Sequence, residues 1–96
     1  KSLTFDSVAA RLANNIVSLA EKFGENEGSS WRIRIRLTHQ ELADSLGTYR
    51  ETVTHTLGVF QDKGLVSLER SRICIRDTEG LRAIIESDTG RRAAES

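Results

Sequence analysis

LTHQELADSLGTYRETVTHTLGVFQ, Leu37 to Gln61, holds two helical patterns on either side of a Gly-Thr-Tyr break. Thr38-His39-Gln40-Glu41 has the Ser/Thr-x-x-Glu form of a capping box and stands directly before Leu42, Ala43 and Leu46. In that form the threonine oxygen takes a free amide of the first turn, and the glutamate reaches back to the cap amide. A helix is therefore expected from Thr38 to Gly47. Thr48-Tyr49-Arg50-Glu51 repeats the form, and Val53, Leu57 and Phe60 share one face of a second helix, roughly 49–63, closed by Gly64. Two helices joined by so short a glycine-containing turn must cross steeply, which is the helix-turn-helix arrangement.

Working outward, residues 5–23 place Phe5, Val8, Ala9, Leu12, Ile16, Leu19, Ala20 and Phe23 at three- and four-residue steps. That spacing predicts one amphipathic helix, with Asp6 or Ser7 as its N-cap and Gly24 at its end. GENEGSS, 24–30, reads as a polar loop. Trp31, Ile33 and Ile35 alternate with Arg32, Arg34 and Arg36, the period of a strand with one buried face. The three arginines either meet phosphates or simply solvate the outer face. Downstream, 65–68 and 73–75 predict a hairpin whose link, Glu69-Arg70-Ser71-Arg72, forms a basic tip. Asp77 or Thr78 caps a last helix carrying Leu81, Ile84 and Ile85. The stretch from Ser87 to Ser96 lacks apolar periodicity and is expected to be a loose tail, leaving 1–86 as one domain. Helix, strand, helix-turn-helix, β-hairpin wing and C-terminal helix make an α+β, mostly α, winged helix-turn-helix fold.

Composition fits a single core. The chain has 96 residues, 38% of them hydrophobic, with no Pro and no Met. No apolar run is long enough to span a membrane. The start at Lys1-Ser2 without any Met leads us to expect a piece of a longer protein. Cys74 stands alone, so no disulfide framework exists; a buried, inert strand cysteine in a reducing, cytoplasmic setting is expected. Net charge is zero, yet residues 31–76 carry eight Arg/Lys against five Asp/Glu between two mildly acidic flanks. Segregated charge of this kind steers a polyanion in a way that the net value hides. His39 and His55 have no Cys or carboxylate at ligand spacing, so no metal site is expected. Ser45, Thr54 and His55 lack the backing acid and oxyanion donors of a nucleophilic site, so an enzyme is not expected either.

Taken together, the first helix, the Ile33-Arg34-Ile35 strand, LTHQELADSLG, YRETV and GLVSLERSRICI resemble the DNA-binding domain of the cyclic-AMP receptor protein (Crp/Fnr) family of bacterial transcription regulators. The likeness runs from Leu3 to about Ile85. It implies sequence-specific binding of double-stranded DNA, with the second helix of the pair in the major groove. Arg50 and Glu51 match the family's base readers. The chemistry agrees: a guanidinium bonds guanine O6 and N7, and a carboxylate accepts from cytosine N4. His55 stands where many members have a further base-reading Arg and joins the reading set, with a different or less strict preference. Thr38, Gln40, Thr48 and Thr52, with Arg70 and Arg72 on the wing, are the expected phosphate contacts. Tyr49 replaces a small hydroxyl residue; stacking or bonding on the DNA backbone and simple packing are both open. Thr56 sits where an aliphatic residue is usual.

The resemblance further implies a homodimer in the intact regulator, a near-palindromic DNA site, RNA polymerase as a further partner, and an effector-binding N-terminal domain absent from this chain. No cofactor is expected within the chain itself. The effector, the target promoters and the direction of regulation are not in the sequence. The competing reading, a winged helix used as a protein-protein interaction module, suits the zero net charge.

Overall fold

The computed structural model describes residues 7–28, 30–33, 36–69 and 72–95. Helix α1 (Val8–Phe23) is followed by strands β1 (Gly24–Glu27) and β2 (Ser30–Ile33). The helix pair α2 (His39–Leu46) and α3 (Arg50–Asp62) comes next, then β3 (Val66–Glu69), β4 (Arg72–Ile75) and α4 (Thr78–Glu95). Phe5, Asp6, Arg34, Ile35 and Arg70 lie outside the described residues.

The strands form one antiparallel sheet in the order β1-β2-β4-β3. β4 has a neighbour on each side, with Val66 to Glu69 paired from Ile75 back to Arg72, and Trp31 and Arg32 paired with Ile75 and Cys74. Its Ile73, Cys74 and Ile75 are all buried, and since successive side chains point to opposite faces, both faces of this strand are covered. The core draws on nearly every element: Leu12 and Ile16 of α1, Ile33 of β2, Leu42 of α2, Val53, Leu57 and Phe60 of α3, Ile73 and Ile75 of β4, and Leu81 of α4. The α+β winged architecture read from the sequence is the one observed.

Several local expectations need correction. Gly24 to Glu27 and Ser30 are strand rather than loop: Gly24 to Glu27 pair with Ile33 back to Ser30, and Gly28 after them takes φ 78°. An edge strand needs only backbone partners, so the polar GENE run gives no apolar alternation to detect. Arg36, expected at the end of the following strand, lies outside any strand.

Ser7 caps α1, its hydroxyl accepting from the Ala10 amide at 3.0 Å. The buried face of α1 includes Ala10, Ala13 and Val17, which the expected stripe omitted, while Phe23 at its end is exposed. The helix is covered from two sides, because α4 packs along it as well as the helix pair and sheet. Ser87 to Glu95, expected to be loose, continue α4. Apolar periodicity reports what a helix buries, whereas Arg, Ala and Glu favour helix by propensity alone. Among the described residues, no helix is long and apolar enough to cross a membrane.

Candidate nucleic-acid interface

The entry to α2 has the expected chemistry. The Thr38 hydroxyl accepts from the Glu41 amide at 3.0 Å, and the Thr38 amide donates to Glu41 Oε1 at 2.9 Å. These bonds hold the Glu41 carboxyl below its ordinary pKa, the Thr38 backbone amide being the larger cause and its hydroxyl the smaller.

The exit is a Schellman turn. Gly47 sits at φ 69°, its amide meets the Asp44 carbonyl at 3.4 Å, and the Thr48 amide reaches the Ala43 carbonyl at 3.0 Å. This explains why the second capping box does not form. The Thr48 amide already closes α2, so Glu51 has no cap amide to reach back to. The N-cap of α3 is Tyr49 instead, with no side-chain cap bond. Its carbonyl receives the Thr52 and Val53 amides, both at 3.1 Å. The first amides of α3 thus lack the side-chain acceptor that α2 enjoys, at the end of the helix where anions are favoured.

Arg50 and Glu51 open α3, and both are exposed, as is His55 one turn on. None of the three holds a side-chain hydrogen bond or ion pair to another described residue. The opposite face, with Val53, Leu57 and Phe60, is buried to within 1%. Thr56, on the margin of that face, is 8% exposed and satisfies its hydroxyl on the Thr52 carbonyl at 2.8 Å. Its departure from an aliphatic therefore leaves no buried polar group unpaired. Tyr49 is 77% exposed, which removes simple packing from its two readings.

The expected phosphate contacts differ in readiness. Thr38 is exposed, but its oxygen serves the cap and its hydroxyl also acts on the Glu41 carboxyl, so it would have to exchange those bonds to reach a phosphate. Gln40 donates to Asp44 Oδ1 at 2.9 Å within its own helix and would have to exchange that bond. Thr48 and Thr52 are half-buried at the turn and first turn of α3. Arg72 is exposed at the end of β4 nearest the wing's tip, across from Glu69.

Four features were not read from the sequence. Arg76 binds Glu69 Oε2 at 2.6 Å and donates to Ser67 Oγ at 2.9 Å, so the wing's acid is neutralised away from Arg72. His39 Nδ1 and Thr54 Oγ1 lie 2.7 Å apart and bridge the two helices of the pair. Arg11 Nη1 donates to the Leu46 carbonyl at 2.8 Å, capping the end of α2 from α1, with Asn15 Nδ2 to Ser45 Oγ at 3.3 Å beside it. These are contacts between distant segments, and no local pattern announces them. The fourth is Gly58, an interior helix glycine whose space for a Cβ is open. Glycine at this position costs about 1 kcal/mol relative to alanine. Among the described residues, no group of three metal-ligating side chains occurs.

Comparison with known proteins agrees with this geometry. The family of Crp-like helix-turn-helix domains matches residues 10–84. A "CRP-like cAMP-activated global transcriptional regulator" of Mycobacterium tuberculosis is 38% identical over 79 residues, covering 82% of this chain and 35% of that protein. A solved CRP/FNR-family transcriptional regulator from Thermus thermophilus superposes with a TM-score of 0.74 at 29% identity, covering 85% of this chain and 42% of its own. The CO-dependent transcription factor CooA from Carboxydothermus hydrogenoformans gives 0.74 at 25% identity, covering 82% and 37%. The chain spans roughly a third to two fifths of the length of these relatives. The fold, a helix pair backed by a two-stranded wing, is thus shared with solved transcription regulators, and the chain belongs to the Crp-like helix-turn-helix domains, the DNA-binding output modules of such regulators.

Proposed function

We propose that this domain reads double-stranded DNA by inserting the N-terminal turns of α3 into the major groove, with Arg50, Glu51 and His55 on base edges. The observation that carries the reading is the exposed Arg50-Glu51 pair at a helix start without a side-chain cap. A cation there is unfavourable to the helix itself, so its value lies in what it meets outside. Arg50 takes guanine O6 and N7 while Glu51 accepts from cytosine N4, so neighbouring residues read both strands of a G·C step.

Thr38, Gln40, Thr48 and Thr52 seat the helix pair on phosphates, and Arg70 and Arg72 carry the wing to the flanking backbone. Tyr49 adds a phenol on the same side, in reach of sugar or phosphate. The unit doing this is 1–86, and the chain is not an enzyme. In the intact regulator a homodimer sets two α3 helices one helical turn apart, about 34 Å, on a near-palindromic site. An effector domain outside this chain controls it, RNA polymerase is a further partner, and the setting is cytoplasmic.

Fluorescence anisotropy with a palindromic duplex of TGTGA half-sites and a scrambled control, at two salt concentrations, tests the reading. Tighter binding to the palindrome, lost in Arg50→Ala, is expected. Absence of binding at low salt, even with the chain forced into a dimer, would favour the protein-interaction module, for which the 77% exposed Tyr49 and the zero net charge are the supporting features.

A further inference from the structure

We propose that Gly58 is a notch in the outer face of α3 that admits the sugar-phosphate backbone where the helix leaves the major groove, and so sets how deeply α3 seats. This rests on the reading of α3 as the groove-entering helix. Gly58 follows Glu51 by seven residues and His55 by three, which puts it on their outward row, opposite the buried Val53 and Phe60.

Five other described glycines have reasons inside the chain. Gly28, Gly47 and Gly64 hold positive φ, while a Cβ on Gly24 would strike the Ala20 carbonyl and one on Gly80 would strike Leu65 and Asp77. Gly58 has neither: its φ is not positive, and a Cβ would meet nothing within 4 Å. Nothing in the described fold asks for glycine in the middle of this helix, where it weakens the helix. The remaining demand is close approach by something outside the chain.

What approaches is set by distance. Gly58 lies eight residues beyond Arg50, about 12 Å along the axis at 1.5 Å per residue. The major groove is about 12 Å wide, so a helix that inserts its first turn has reached the rim by Gly58. The surface met there is sugar and phosphate. Asp62, exposed one turn further on the same row, carries the sign that phosphate repels, so the row gives way to an acidic end directly after the notch. Bulk at position 58 then lifts α3 and withdraws Arg50, Glu51 and His55 from the bases together.

The test compares wild type, Gly58→Ala and Gly58→Leu on the duplex that wild type recovers in a binding-site selection and on its scramble, with melting curves for all three. Both variants should melt at or above wild type. Affinity for the selected duplex should fall in order of bulk, about threefold for alanine and about tenfold or more for leucine, tenfold being about 1.4 kcal/mol. The scramble should change far less. Wild-type affinity retained by Gly58→Leu would overturn the inference while leaving the DNA reading intact. A lower melting temperature for Gly58→Ala would overturn it as well, since glycine would then have a reason inside the chain. Failure of wild type to select or bind any duplex would instead remove the DNA reading, and that outcome needs no variant to be seen.

Discussion

Replacing Arg50 by alanine should separate folding from reading. Arg50 is the first residue of α3, exposed, and without a side-chain partner among the described residues. Its charge sits at the positive end of the helix dipole, an arrangement unfavourable by about 0.3–1 kcal/mol. Alanine removes that term and is the best helix former, so the variant should be more stable by a similar amount. For a domain of this size such a gain corresponds to a melting temperature higher by about 1–8 °C. Binding should move the other way. Loss of a bidentate guanine contact costs about 1–3 kcal/mol, or roughly 5- to 150-fold at 25 °C, on the cognate duplex. On scrambled DNA the loss should stay within about threefold, because the phosphate contacts remain. Anisotropy titrations on both duplexes and a thermal melt read all of this. Equal losses on the two duplexes would mean that Arg50 touches only phosphate, and a lower melting temperature would mean that it braces the fold. Either result refutes the reasoning.

Arg72→Ala should weaken binding to all sequences alike and lower the salt slope by about one unit, because Glu69 is occupied by Arg76 and leaves Arg72 to the backbone; a loss confined to one duplex would argue against it. His55→Arg should sharpen preference toward family-typical half-sites, and an unchanged binding-site selection would take His55 out of the reading set. Glu41 has a depressed folded pKa, so its contribution is present above its unfolded value and lost as pH falls through the folded one. Urea melts at about pH 7 and about pH 3 should therefore show a smaller acid loss in Glu41→Gln than in wild type, and identical losses would count against the capping role. Arg11→Ala removes a charged hydrogen bond to the Leu46 carbonyl and should cost about 1.5–3 kcal/mol in urea melts. A change below about 0.5 kcal/mol would show that α1 does not hold the end of α2.

The helix pair was legible because its punctuation is local. Thr38 and Glu41 are close enough along the chain to find each other in any helix that starts there, and Gly47 and Gly64 mark ends that need a left-handed residue. The repeated Thr-x-x-Glu at Thr48 misled for the complementary reason. Its amide was already engaged by the preceding helix, and one donor cannot serve two caps. Likewise β1 was invisible because an edge strand is stabilised by its neighbour's backbone, and the continuation of α4 because its sequence carries no apolar stripe.

Sequence by itself determined the order of the elements other than β1, the buried face of α3 and the residues presented at its start, since periodicity and capping act within a few residues. Tertiary structure alone decided which of those residues are at liberty to meet DNA. It joins His39 to Thr54, draws Glu69 to Arg76 and leaves Arg50, Glu51, His55 and Arg72 without side-chain partners among the described residues. Most of those choices depend on which segments the core brings within about 3 Å of each other, the range over which a hydrogen bond forms.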